Sequence, residues 1–287
     1  MKNKIYLVLA VVLAFFFQRA FFSEAFAQNM DMTEEEMEVV LSFSSKGHAA
    51  YDKEDYQTAV MYYEKAIALQ DPYADTYFFY ALSKKALDDY QAAIQKFAFV
   101  VNKGDKLHGG IMRIDESLFW LADIYYHQKA YDKADLCLQK MGKEEEPNGE
   151  FLFYRMVEDP DMSWTFNVNP NYASLIIGNI WSKLNRHNEA LAYFTKVIEA
   201  ADNTVTRFDR AYSYLSVGKY QEAEADLTKV IETTEVDFVY LWRAEVRIKL
   251  GNCAAAAEDL AKAKSLLEPA NTDRLEKLYQ IQKSQCK

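Results

Sequence analysis

Seven side chains in this sequence could ligate a metal through nitrogen or sulfur: His48, His108, His127, His187, Cys137, Cys253 and Cys286. Two ligands share a helix face only when they stand three or four residues apart. No two of the seven do, so no metal is expected. Glu144, Glu145 and Glu146, with Asp159 and Asp161, offer oxygen enough for calcium. Their spacing fits no calcium loop, and the stretch reads as a solvated acidic loop. There is no glycine-rich phosphate loop, no G-x-S-x-G elbow and no H-E-x-x-H helix. The reading is therefore no catalytic residue and no cofactor, and the chemistry to look for is binding.

Charge and targeting narrow the partners. The 287 residues carry 43 Asp and Glu against 33 Lys and Arg, a formal net charge of −10. That balance argues against nucleic acid and against anionic membrane surfaces. Residues 1–27 read as a secretory leader: Lys2 and Lys4 are followed by an apolar run over 5–17, and Ala25 and Ala27 provide a cleavage site before Gln28. The run is shorter than the roughly 20 residues of a membrane-spanning helix. The expectation is an exported protein, periplasmic or extracellular, with no stable membrane anchor after cleavage; the alternative is an uncleaved anchor. No Cys lies near the cleavage site, which argues against a bacterial lipoprotein.

The elements that present a binding surface come from a repeat. In residues 210–231, RAYSYLSVGKYQEAEADLTKVI, Ala223, Leu227 and Val230 fall on one side of a helix, and a Gly–Lys–Tyr corner precedes it. Taking Ala223 as an anchor, its counterparts are Ala59, Ala93, Ala134, Ala190 and Ala256. The steps are 34, 41, 56, 33 and 33 residues. Twelve residues ahead of each anchor stands a small residue, Gly47, Ala81, Ala122, Gly178, Ala211 or Ala244. Three ahead stands Tyr56, Tyr90, Tyr131, His187, Tyr220 or Cys253. Four beyond stands Tyr63, Phe97, Leu138, Phe194, Leu227 or Leu260. Antiparallel helices approach closely only where one is small and the other supplies a knob. One such pair cannot bury its own apolar face, so neighbours must stack.

These columns resemble the tetratricopeptide repeat over residues 43–266. The resemblance implies an all-α fold, a right-handed α-solenoid of about six helix pairs. Arg210 and Arg243 stand where the family has an apolar residue. Asp226 and Asp259, sixteen residues on, are their expected partners in exposed pairs worth about 0–1 kcal/mol. His187 and Cys253 replace the corner Tyr. Gly142 should end the second helix of repeat three early.

Thr33 and Glu36 form a capping-box pattern that should start the first helix. Residues 102–110, with three glycines, read as a loop. The mature domain, 28–287, carries an insertion at 142–172 between repeats three and four. After Pro269, residues 271–287 read as an amphipathic capping helix with Leu275, Leu278 and Tyr279 on one face.

The resemblance also implies a concave groove lined by the first helices. Fifteen residues ahead of each anchor stand Ser44, Phe78, Phe119, Leu175, Phe208 and Leu241, with Tyr126, Tyr172, Asn179, Tyr212, Phe238 and Trp242 flanking them. Some family members hold a partner's terminal carboxylate with Lys, Asn and Arg on this face. Here those positions carry mainly Phe, Leu, Trp and Asp, so that clamp is missing. The groove is expected to take an apolar peptide or helix of a partner protein. The opposed reading is a groove filled by the protein itself. The chain thus reads as an exported interaction scaffold. The alternatives are a subunit of envelope assembly or secretion machinery, and an enzyme with its site in the 142–172 insertion.

Cys253 begins the second helix of repeat six, and Cys286 continues the apolar stripe of the capping helix. Each lies about 16 residues from the intervening turn, so antiparallel helices bring the sulfurs level, and export favours a disulfide. Cys137 is left as a small buried side chain. The alternative is three free thiols.

Overall fold

The computed structural model describes residues 32–141, 169–266 and 269–286. Thirteen α-helices and no β-strand stand among them. The expected leader and residues 142–168 of the insertion lie outside the described residues. The chain divides into two compact units, Met1–Ile124 and Tyr125–Lys287. The first holds α1 (Glu34–Tyr51), α2 (Tyr56–Ala68), α3 (Ala74–Ala86), α4 (Tyr90–Lys103) and most of α5 (Gly110–His127). The second holds the end of α5 and α6 (Tyr131–Lys140), α7 (Pro170–Lys183), α8 (His187–Ala200), α9 (Thr204–Ser216) and α10 (Tyr220–Thr233). It continues through α11 (Asp237–Lys249), α12 (Cys253–Ser265) and α13 (Thr272–Gln285). This is an all-α fold of tetratricopeptide-type helix pairs with a final capping helix.

Helix bounds follow the sequence columns. Tyr56, Tyr90, Tyr131, His187, Tyr220 and Cys253 are each the first residue of a pair's second helix. Two residues ahead of each, the chain turns through left-handed conformation, with φ of 59° at Glu54, 60° at Asp88, Lys129 and Asn185, 78° at Gly218 and 77° at Gly251. Glycine reaches that region freely, whereas Glu and Lys do so against about 1–2 kcal/mol. Caps then fix the starts. Thr33 and Glu36 bond reciprocally, at 3.2 Å to the Glu36 N–H and 2.8 Å from the Thr33 N–H. Asp55 and Asp89 accept from the N–H groups of Thr58 and Ala92. The α6 helix has 10 residues where the other second helices have 13 or 14.

All six anchor alanines are inaccessible to solvent, and the small residues opposite them are buried. A Cβ on Gly47 would stand 2.5 Å from Cε1 of Tyr63, and one on Gly178 would stand 2.8 Å from Cε1 of Phe194. The small residue thus clears the large side chain four residues past its own anchor as well as the anchor itself. That side chain also reaches forward: Leu227 packs with Val239 and Val246 of α11, and Leu260 with Leu275 and Leu278 of α13.

Two expectations need correction. Residues 102–110 are not one loop: α4 runs to Lys103, a 3-10 turn spans Gly104–Lys106, and α5 begins at Gly110. Gly104 is buried against Ile114, and His108 bonds through its backbone to Pro72 and Ala74. The arginine pairs are the second case. Arg210 donates to both oxygens of Asp226 at 2.7 and 2.8 Å, and Arg243 to both of Asp259 at 3.1 and 2.7 Å. The partners are as expected, but the pairs are not exposed: Asp226 and Asp259 are only 3% and 2% accessible. Arg207 and Arg247 close on the same carboxylates. Arg210 and Arg243 also donate to Thr195 and Thr228, each in the preceding repeat. The result is a charged joint between successive pairs, seated in the core where an apolar residue was expected.

Candidate functional site

In repeats four to six the anchors are 33 residues apart, so equivalent positions of α7, α9 and α11 form rows across the second unit's inner face. The rows are Tyr172–Val205–Phe238, Leu175–Phe208–Leu241, Ile176–Asp209–Trp242 and Asn179–Tyr212–Glu245. The first row is the most open, with Val205 67% and Phe238 39% exposed. Behind it the aromatic rings interlock edge to face. Phe208 meets Phe238 at 5.4 Å and Trp242 at 6.1 Å between centroids, and Tyr212 meets Trp242 at 5.4 Å.

One end of this face is occupied by the protein's own side chain. The guanidinium of Arg274, on α13, lies 3.5 Å from the Trp242 ring centroid and donates to Glu245 at 2.7 Å. Its Nε is buried without a hydrogen-bond partner among the described residues. Burial lowers the Arg274 pKa, while Glu245 works to raise it. Asp209, in the adjacent repeat, has no such partner. It is half-buried, and no hydrogen bond or ion pair reaches it among the described residues. Burial pushes its carboxyl up to about 6, against the opposing charge of Lys183. Next to it on α9, the buried hydroxyl of Ser213 bridges Ser182 and His187 Nδ1, each at 3.4 Å. Burial lowers the His187 pKa.

On the first unit's inner face several polar side chains are paired with their neighbours. Arg113 stacks on Phe78 and Phe79 at 4.8 and 5.3 Å and pairs with Asp75 at 2.7 Å and with the buried Glu116. His48 Nδ1 meets the Tyr63 hydroxyl at 2.5 Å, and its ring packs on Phe79. Asp71 accepts hydrogen bonds from Ser44 and Thr76 and from the Tyr73 N–H. Burial pushes its carboxyl up, and these bonds oppose the shift.

Of the groove residues read from sequence, Leu175, Asn179, Tyr172, Phe208, Tyr212 and Phe238 lie together on the second unit's inner face. Phe78, Phe119 and Leu241 do not line it, for all three are wholly buried. Phe78 is covered by Arg113 and packs on Phe97, and Leu241 is covered by Leu275 and Leu278 of α13. Tyr126 belongs to the third corner, against His127 and Tyr131. The sequence reading passed over Val205, Asp209 and Arg274. Two of them were findable, because Val205 and Asp209 sit at the same offsets from Ala223 as Phe238 and Trp242 do from Ala256. Cys253 and Cys286 form a disulfide with their Cα atoms 5.6 Å apart, and Cys137 is a buried free thiol. Among the described residues no three His, Cys, Asp or Glu side chains cluster as a metal site. No described helix is long and apolar enough to cross a membrane.

The tetratricopeptide repeat family matches residues 42–72, 173–204 and 206–236 through one of its profiles and residues 116–145 through another. Among curated proteins no sequence matches significantly. Among solved structures the fold is similar to that of pilF from Pseudomonas aeruginosa, at 13% identity over 86% of this chain and 99% of that one, with a TM-score of 0.51. A tetratricopeptide repeat protein from Parabacteroides merdae matches at 17% identity over 85% of this chain and 84% of that one, with a TM-score of 0.42.

Proposed function

The chain belongs to the tetratricopeptide repeat family, and from that premise we propose that it is an exported scaffold whose second unit binds an apolar peptide or helix of a partner protein. The tetratricopeptide fold supports protein–protein interaction and is typically not catalytic. The observation that carries the finer reading is the exposed pair Val205 and Phe238 in the row that Tyr172 begins, backed by Phe208, Tyr212 and Trp242. The row's three members recur at the repeat spacing, so an extended or helical ligand running across α7, α9 and α11 meets an apolar side chain at each step. Export is supported by the leader pattern of residues 1–27 and by the Cys253–Cys286 bridge, which persists in oxidising compartments.

The test pairs capture with substitution. The mature protein is used to capture partners from the native envelope, alongside a Val205→Glu/Phe238→Glu variant. Both positions are exposed, so the variant should keep the wild-type melting temperature and lose a partner that the wild type retains. Identical captured proteins in the two samples would overturn the assignment of this face. N-terminal sequencing of native material is expected to begin at or within a few residues of Gln28; a sequence beginning at Met1 would overturn leader cleavage.

A further inference from the structure

Asp209 breaks a pattern. The same offset from the anchor holds Ser45, Phe79, Trp120, Ile176 and Trp242 in the other five repeats, so Asp209 is the only charged member of its column. A half-buried carboxylate without a hydrogen bond is costly to keep charged. Register shows what surrounds it. Trp242 rests on Phe208 and Tyr212, which stand at the row positions of the preceding repeat. One repeat earlier the equivalent row positions are Leu175 and Asn179 of α7, and Phe208 and Tyr212 stand one and three residues from Asp209 on its own helix. Of the charged groups nearby, Lys183 is exposed at the end of α7, and Glu245 is engaged by Arg274.

The protein itself displays how this surface accommodates a basic side chain. Arg274 lies over an aromatic ring of the inner face and pairs with an acid of the same face. Asp209, with Phe208 and Tyr212 beside it, offers the same two elements one repeat earlier. Resting on the reading of this face as a peptide site, we propose that the peptide must carry an arginine or lysine, whose charge is received by Asp209 and whose stem lies along Phe208 and Tyr212. The occupant is thus an apolar partner segment with a single basic residue, and the acidic balance of the chain attracts it.

The probe is an array of short apolar peptides, each with one arginine at a varied position, matched against the same peptides with neutral, isosteric citrulline. Binding of the whole mature protein is read by fluorescence anisotropy. The wild type should prefer the best arginine peptide over its citrulline twin by roughly tenfold or more, as for a charge-assisted hydrogen bond. Asp209→Asn should erase that preference and leave the citrulline peptide's affinity unchanged. Lys183→Met should keep it, because the exposed Lys183 is not the receptor. Equal binding of both peptides to the wild type, or a preference that survives in Asp209→Asn, overturns the role of Asp209 and leaves the apolar face standing. If no peptide in either set binds, or if Val205→Glu/Phe238→Glu binds all of them as the wild type does, the peptide site itself is overturned.

Discussion

The Tyr63 ring lies so near Gly47 that a methyl group on Gly47 would stand 2.5 Å from its Cε1. The ring cannot retreat, because it is wholly buried and its hydroxyl is bonded to His48. Gly47→Ala should therefore destabilise the first unit by about 1–3 kcal/mol, the usual cost of overpacking. Adding Tyr63→Leu, the residue that repeats five and six pair with alanine, should recover part of the loss. Denaturant midpoints of the single and double variants decide it; an unchanged midpoint for Gly47→Ala would contradict the close approach.

The six corners share a left-handed residue but not its identity. Lys129 holds φ at 60° where Gly218 and Gly251 occupy the equivalent places. Lys129→Gly should stabilise by up to about 1 kcal/mol, and Gly218→Ala should destabilise by at least as much. Thermal melts of both variants provide the check, and shifts of the opposite sign would show that the corner's strain is relieved elsewhere.

These corners show how much of the fold was legible. The offset of each corner aromatic from its anchor was enough to place the start of every second helix, because the turn geometry and the small-to-large contact recur together. The inner face was legible only in part. The offset that contains Phe208 also contains Phe78 and Leu241, yet Phe208 is half-buried and the other two are sealed. Sequence cannot distinguish them, because what covers them comes from elsewhere: Arg113 over Phe78, and α13 over Leu241. Asp226 and Asp259 were misjudged for a related reason. Their pairing was readable at a spacing of sixteen, but the second arginine and the threonine of the preceding repeat that enclose each pair were not.

The charged joint makes its own forecast. Asp226→Ala leaves Arg207 and Arg210 facing each other without their shared carboxylate. The loss should be about 3–5 kcal/mol, as for breaking one side of a buried pair. A change near the ~0–1 kcal/mol of an exposed pair would show instead that water reaches the joint. Urea unfolding of the second unit distinguishes the two.

A buried histidine, His187, and a half-buried one, His48, set a pH dependence. Burial lowers the pKa of His48 and of His187 below the ordinary 6.5. The folded state therefore takes up those protons later than the unfolded chain. Their contribution to stability is present above pH 6.5 and is lost as pH falls through the depressed folded values. Around His48, Asp75, Asp52 and Asp71 oppose the shift and Arg113 reinforces it. Between pH 7.5 and 5.5 the histidines should lower the melting temperature while Asp209, its carboxyl raised to about 6, works the other way, so the wild type should lose more, or gain less, than a His48→Gln/His187→Gln variant. An identical change in the variant would assign the effect to other groups.

The disulfide ties the capping helix to the last repeat. Cys253 opens α12 and Cys286 follows α13, and 33 residues separate them. A cross-link closing a loop of that size is worth about 3–4 kcal/mol on the chain-entropy model. It holds in place a helix that supplies Leu275 and Leu278 to the core and lays Arg274 on Trp242. Cys286→Ser, or reduction and alkylation, should lower the melting temperature by several degrees. Amide exchange should then speed up most in α13, because a terminal helix frays first once its far end is released. Intact mass provides the direct check. Unreduced protein should take up alkylating reagent only at Cys137, and only after unfolding, because burial pushes that thiol up to about 11 and shields it. Three alkylated cysteines in freshly isolated, unreduced protein would rule the bridge out, and with it the main physical support for an oxidising compartment.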